Sequence, residues 1–259
     1  MGGSTKRPKG PKIQPKVEPK PTFSRGTIGV LIALTAIAAL SVSIGLGGFS
    51  STPKPLASAS PSSTPSASST ATPTSGSTVQ CEYTKESGPQ SKFVGLPDPT
   101  ATPATKTATV TTNQGKIVFE LSPKTPCTEN SFAFLASKKY FDNTPCHRLL
   151  NAPGFTALQC GDPSGTGTGG PGYKFADENL AGATYPRGTI AMANAGAGTN
   201  GSQFFFVFKD STFGPNYTPF GRVISGLDVL DAIAANGTSN GSTDGAPKKA
   251  VTINTLTVN

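Results

Sequence analysis

The stretch Gly188–Phe208, GTIAMANAGAGTNGSQFFFVF, constrains the fold of this chain more than any other segment. Its two ends, Thr189–Ala193 and Gln203–Phe208, are apolar and favour extended backbone. Between them lie Asn, Gly, Ala and Thr. That linker is too small-residued and polar for a helix and too long for a two-residue hairpin turn. Two strands must therefore hold up a Gly/Asn loop, and a loop fixed by a rigid sheet is where binding groups tend to sit.

The same punctuation continues on both sides and defines a folded domain over 105–259, a typical single-domain size. Thr107–Thr112 and the alternating run Gly115–Leu121 read as a hairpin turned at Asn113–Gly115. Cys127–Lys139 carries Phe132, Leu135 and Ala136 at helical spacing, with Thr128 as its cap. Short strands are expected at His147–Leu150, Phe155–Cys160, Thr189–Ala193, Gln203–Phe208, Phe220–Ile224 and Val251–Val258, with a second helix over Leu227–Ala235. Many short strands with two helices point to a closed or nearly closed antiparallel β-barrel with helices packed on it.

Upstream, the composition changes sharply. Lys6, Arg7, Lys9, Lys12, Lys16, Lys20 and Arg25 face only Glu18 within residues 1–26, so this tail carries most of the net charge of +8. The tail is expected to be disordered, and nucleic-acid binding by the folded part is not expected. Thr27–Leu46 is uncharged and apolar, long enough to span a bilayer as a helix. The basic residues before it place the N-terminus in the cytoplasm. The expectation is an uncleaved membrane anchor over 27–48, a Ser/Thr/Pro-rich linker over 49–78, and an irregular lead-in over 79–104 tied down by Cys81. A cleaved signal peptide is the competing reading, because Ala57-Ser58-Ala59 has the small-x-small form.

The candidate chemistry is sparse. Four cysteines without a Cys-x-x-Cys, and one histidine, argue against a structural zinc site, and no metal is expected. Outside the cytoplasm, Cys81, Cys127, Cys146 and Cys160 can form disulfides. Cys127 with Cys146 is one pairing, which leaves Cys81 and Cys160, and three connectivities stay open. His147 reads as a structural, hydrogen-bonded histidine. Gly165–Gly170 matches G-x-G-x-x-G, but Pro171, Gly172 and Tyr173 follow where a helix N-terminus would have to receive a pyrophosphate, so it reads as a surface loop. Arg148 is a cation in an otherwise apolar strand. If Gln159, Asn194, Gln203 and Phe205 converge on it, the site holds one fixed cation, neutral donors and an aromatic wall, without a carboxylate pair or nucleophile. Such a set is wrong for hydrolysis and suits a polarised amide in an apolar seat.

From about Thr107 to Asn259 the chain resembles the cyclophilins, the peptidyl-prolyl cis–trans isomerases. The resemblance rests on Asn130-Ser131-Phe132, His147-Arg148, Gln159 with Gly161-Asp162, Gly165–Gly170 and Phe175-Ala176-Asp177-Glu178-Asn179. It continues through Met192-Ala193-Asn194-Ala195-Gly196, Thr199-Asn200-Gly201-Ser202-Gln203-Phe204-Phe205 and Phe220-Gly221-Arg222-Val223. With the anchor and linker, the chain looks like the membrane-anchored cyclophilins of actinobacteria. The resemblance implies a mainly β fold, an eight-stranded closed antiparallel barrel capped by two helices. It also implies Arg148 as the catalytic arginine, with Gln159, Ala193, Asn194, Ala195 and Gln203 on the substrate backbone. Phe205 would floor a proline pocket shared with Phe155, Phe213 and Tyr217. It implies no cofactor, proline-containing polypeptides as partners, and a monomer.

Three departures from the family pattern stand out. The run from His147-Arg148 to Gln159-Cys160-Gly161-Asp162 is about three residues longer than the commonest pattern. Thr212 stands where many members carry tryptophan, which implies weakened cyclosporin binding. Phe213 and Tyr217 replace a usual leucine and histidine. The expected function is isomerisation of Xaa-Pro bonds in extracytoplasmic proteins. The alternative is a catalytically weak proline-peptide-binding module that scaffolds an envelope assembly.

Overall fold

The computed structural model describes residues 77–88 and 91–259. The expected basic tail, membrane anchor and nearly all of the linker lie outside the described residues. Among the described residues, no helix is long and apolar enough to cross a membrane.

Eight strands and two helices carry the fold. In chain order they are β1 (Thr107–Thr112), β2 (Gly115–Leu121), α1 (Pro126–Ser137), β3 (Arg148–Ala152) and β4 (Phe155–Cys160). There follow β5 (Thr189–Met192), β6 (Phe204–Phe206), β7 (Pro219–Ser225), α2 (Leu227–Asn236) and β8 (Thr252–Val258). With Asp244–Gly245 at one end and Thr144–Pro145 at the other, they form a 10-stranded sheet in the order Asp244–Gly245, β3, β4, β6, β5, β7, β2, β1, β8, Thr144–Pro145. All of its pairings are antiparallel.

The expected closed barrel needs correction, because this ladder has two ends. The segment that would close it divides its pairing. Thr144 and Pro145 pair with β8, whereas from Arg148 the chain has become β3 and pairs with β4 and Asp244–Gly245. Chain continuity through Cys146 and His147 joins the ends, and the Cys146 N–H still donates to the Val251 carbonyl at 2.9 Å. The sheet curls round its core without an unbroken row of hydrogen bonds.

That core is made of one side of each strand. Leu149, Leu158, Phe206 and Ile190 are aligned across β3, β4, β6 and β5 and are almost wholly buried. Phe119, Phe204 and Phe220 meet Phe132 of α1 with ring centroids 5.2–5.8 Å apart. Thr128, Phe132, Leu135 and Ala136 recur at helical spacing and form the buried stripe of α1, which packs against β8.

The start of α1 differs from expectation. The helix begins at Pro126, which suits the first helical turn because it has no N–H to satisfy. Thr128 is not its cap, and Thr125, at the N-cap position, makes no side-chain cap bond. The free N–H groups of Cys127 and Thr128 donate instead to the two carboxylate oxygens of Glu178, at 3.1 and 2.7 Å. The Thr128 hydroxyl adds a bond of 2.7 Å. An anion brought from fifty residues away satisfies orphan donors at the positive end of the helix.

The cysteines pair as Cys81–Cys127 and Cys146–Cys160, so the pairing of Cys127 with Cys146 is corrected. Cys146 lies just before β3 and Cys160 ends β4, and the β3–β4 hairpin brings them together. Cys127, in the first turn of α1, bonds instead to Cys81 of the lead-in. Tyr83 of the lead-in packs edge-on against Tyr173 and Phe175 at 5.7 Å, and its hydroxyl donates to the Cys127 carbonyl at 2.8 Å. Short pairings of Val79–Gln80 with Thr100–Ala101, and of Thr84–Lys85 with Tyr173–Lys174, complete the attachment.

The Cys81–Cys127 bridge closes a loop with a sequence separation of 46. Replacing both cysteines by serine is expected to lower the unfolding free energy by about 4 kcal/mol through the freed denatured chain. Urea unfolding followed by circular dichroism measures this as a lower midpoint, and an unchanged midpoint would show that the bridge contributes nothing to stability.

Candidate active site

The site is assembled by strand register. Arg148 pairs with Gln159, Gln159 with Phe205, and Phe205 with Ala191. Directly opposed residues of a sheet point to the same face, and neighbours along a strand to opposite faces. The row Arg148, Gln159, Phe205, Ala191 therefore occupies the outer face of the sheet whose inner face is Leu149, Leu158, Phe206, Ile190. Two residues further along their strands, Leu150, Ala157 and Val207 continue that outer face on one side of the row and Ala193 on the other, and all join one apolar cluster with Phe205.

A polar relay runs along the row. The Gln159 Nε2 donates to Gln203 Oε1 at 2.8 Å. Gln203 Nε2 donates to the Gly167 and Gly169 carbonyls at 3.0 and 2.9 Å. Arg148 Nη1 points toward Gln159 Oε1 at 3.5 Å. Its Nε and Nη2 donate to the two oxygens of Asp244 at 2.8 and 2.7 Å. This pairing, more than partial burial opposes it, pushes the arginine pKa up from its ordinary value, and it holds the Asp244 carboxyl below the usual range.

The aromatic residues expected at the site are also together. Phe155 lies 4.2 Å from Phe213, 6.3 Å from Phe205 and 6.2 Å from Tyr217, measured between ring centroids. Tyr217 meets Phe205 edge-on at 5.4 Å. The longer segment after Arg148 is absorbed by the β3–β4 hairpin, which turns at Pro153–Gly154 and leaves Phe155 in this cluster. A groove of about 490 Å³ adjoins it, lined on one side by Gln159, Ala193, Asn194, Ala195 and Gln203. Ala193 belongs to both the groove and the aromatic cluster, while Arg148 reaches the groove through Gln159.

The Asn194 side chain is occupied internally. Its amide donates to the Asn216 carbonyl at 2.8 Å, and its Oδ1 accepts from the Gly196 N–H at 3.2 Å. Asp177 accepts from the Gly198 N–H at 2.7 Å and the Asn200 amide at 2.9 Å, and so ties the same loop down.

Sequence reasoning missed three residues. Asp244 sits in a Gly/Ser-rich turn with nothing to mark it. Tyr185 stacks on Phe213 at 4.2 Å, donates to the Tyr217 carbonyl and accepts from the Tyr217 N–H, thereby holding the aromatic wall in place. Asp162 is the centre of the Gly165–Gly170 loop. Its buried carboxylate accepts from the Ser164 N–H and hydroxyl, both at 2.7 Å, and from the Gly167 N–H at 2.6 Å. The glycine-rich loop does wrap an anion, but the anion is its own. A Cβ at Gly169 would lie 2.0 Å from Asp162 Oδ1, so only glycine fits there.

His147 is corrected in one respect. It is partly buried, yet neither ring nitrogen has a hydrogen-bond partner in the protein. Burial lowers its pKa and favours the neutral imidazole. Among the described residues, no three His, Cys, Asp or Glu side chains are grouped to hold a metal.

Burial alone would raise the Asp162 pKa, but the Ser164 and backbone donors outweigh it and bring it below its ordinary value of 3.8. The stability it adds is therefore present above that value and is lost as pH falls through the lower folded value. Asp162→Ala is expected to cost about 3 kcal/mol near neutral pH, because several donors lose a charged acceptor. Urea titrations at pH 7 and below pH 3 check this, since the difference from the parent must shrink in acid.

Residues 107–258 match the family model described as "Cyclophilin type peptidyl-prolyl cis-trans isomerase/CLD". The chain is 46% identical over 196 residues to a "Probable peptidyl-prolyl cis-trans isomerase B" of Mycobacterium leprae, an alignment covering 69% of this chain and 66% of that protein. The protein of the same description from Mycobacterium tuberculosis is 44% identical over 196 residues, covering 69% of this chain and 63% of the relative. The chain thus spans just under two thirds of these relatives. A "Peptidyl-prolyl cis-trans isomerase B" of Streptomyces anulatus is 42% identical over 172 residues, covering 58% of this chain and 95% of its own. Among solved structures, a cyclophilin type peptidyl-prolyl cis-trans isomerase of Cryptosporidium parvum superposes with a TM-score of 0.53 at 31% identity, covering 60% of this chain and 98% of its own. A second structure of that protein, obtained in the presence of the dipeptide ala-pro, gives 0.52 at 31% identity, covering 59% and 98%.

Proposed function

Because the chain belongs to the cyclophilin-type peptidyl-prolyl cis-trans isomerase family, we propose that it catalyses rotation about Xaa-Pro bonds in proteins outside the cytoplasm. The observation that carries this reading is the row of Arg148, Gln159 and Phe205 on one sheet face, with the half-buried Arg148 and Gln159 beside the buried ring of Phe205. The names of the curated relatives and the solved relative obtained with ala-pro support it.

Rotation about an Xaa-Pro bond is opposed by amide resonance, with a barrier of about 20 kcal/mol. As the bond twists, conjugation is lost and the proline nitrogen becomes pyramidal and basic. A guanidinium aimed at that nitrogen gains a hydrogen bond that the planar ground state cannot offer, which is differential binding of the transition state. Arg148 supplies the donor and stays charged throughout. Phe205, walled by Phe155, Phe213 and Tyr217, seats the proline ring. Gln159, Gln203 and the backbone of Ala193–Ala195 hold the flanking peptide while the preceding residue swings. The step breaks no covalent bond and transfers no group.

Placement outside the membrane is supported by the apolar run Thr27–Leu46 behind a basic tail. The two disulfides also suit an oxidising compartment. Cleavage of the domain by protease added to intact cells tests this placement, and full protection would overturn it.

The chemical reading is tested by exchange spectroscopy of an Xaa-Pro peptide with the full chain. Catalysed exchange is expected, and Arg148→Ala should reduce kcat/KM by about 10²–10³-fold. Full activity in that variant would sink the mechanism. Saturable peptide binding without exchange would favour the scaffolding module instead.

A further inference from the structure

The Arg148–Asp244 pair is more than a surface contact. An exposed ion pair adds little stability, and these side chains are 43% and 48% exposed. Yet the acid is held on a built support. Asp244–Gly245 forms an added edge strand on β3, with Asp244 opposite Leu150 and Gly245 opposite Leu149. Asp244 is thereby the diagonal neighbour of Arg148 on the same face, within reach of a long side chain. The Asn151 N–H donates to the Thr243 carbonyl at 2.8 Å. Asn240 and Ser242 bond the Asp244 backbone from within the turn. A Cβ at Gly245 would meet Asn240 at 2.7 Å, so the turn closes tightly behind the acid.

The geometry of the fork matters most. Asp244 accepts from Nε and Nη2, which form one edge of the planar guanidinium. The Nη1 edge is turned toward Gln159 and the aromatic row. A guanidinium without this clamp would rotate about its long stem and spread its donors over many directions.

We infer that Asp244 is the positioning residue for Arg148: it grips the Nε/Nη2 edge and presents the Nη1 edge to the substrate's proline nitrogen. This deepens the isomerase reading and rests on it. The acid touches neither substrate nor reacting atoms and acts through the arginine.

The test uses the full chain with ¹⁵N-labelled arginine, the Arg148 Nε–H signal being assigned by its loss in Arg148→Lys. In Asp244→Ala and Asp244→Asn this signal should lose its carboxylate-bonded shift and exchange faster with water. On an Xaa-Pro peptide, kcat of Asp244→Ala should fall about tenfold to a hundredfold through misaimed donors. Peptide KM should stay within about twofold, because ground-state binding is little used by this contact. Asp244→Glu should recover part of kcat. An unchanged Nε–H signal in Asp244→Ala would overturn the inference, as would unchanged or raised turnover. If the parent chain shows no turnover, the isomerase reading fails, and the Nε–H comparison alone decides whether the clamp exists.

Discussion

The candidate site depends on the pairing register of β3, β4, β6 and β5. Side chains alternate between the two faces of a strand, so a shift of one residue exchanges the faces completely. In β4 such a slip would put Gln159 into the core and Leu158 on the surface. The register is held by the inner row, Leu149, Leu158, Phe206 and Ile190, whose exclusion from water is worth roughly 1.5–3 kcal/mol per large side chain. The hydrophobic effect thereby positions the polar row on the other face. Arg148, Gln159 and Phe205 are aligned because the residues beside them are buried.

The loops around this sheet are tied down by carboxylates that accept backbone N–H groups. Glu178 takes two from α1, Asp162 takes those of Ser164 and Gly167, and Asp177 takes that of Gly198. Buried backbone donors without partners are costly, and an anion is a strong acceptor. This explains why a family-like segment such as Phe175–Asn179 carries two acids although the proposed chemistry uses neither. Glu129 is handled differently: it is buried on α1 and is paired with Lys106 at 2.6 Å. An unpaired charge there would be strongly unfavourable.

Much of the domain was legible from local pattern. Alternation marked β2, its turn and β-rich partner marked β1, and the two helices were found within a residue or two at their ends. These elements are legible because their burial pattern has a period that the residues themselves display. What failed was long-range. The Cys127–Cys146 pairing joined two element starts that looked equivalent in sequence, but the β3–β4 hairpin brings Cys160 to Cys146 and leaves Cys127 to the lead-in. Thr128 looked like a cap because caps are usually local, whereas Glu178 arrives from a distant loop. Barrel closure failed because one segment serves both ends of the ladder.

Among the site residues, Arg148 stood out in the sequence as a charge in an otherwise apolar strand, Gln159, Gln203 and Phe205 were legible as neutral donors and an aromatic wall, and Phe155 only through the family resemblance. Their convergence was not legible, because distance along the chain says nothing about which strands become neighbours. Asp244 and Tyr185 carried no signal, as each works only through a partner far away in the chain. The sequence by itself determined the strand and helix content and the residue types available to a site. Only the tertiary structure decided which faces met, which cysteines joined, and which carboxylate holds the arginine, because those outcomes depend on pairing register across segments far apart in the chain.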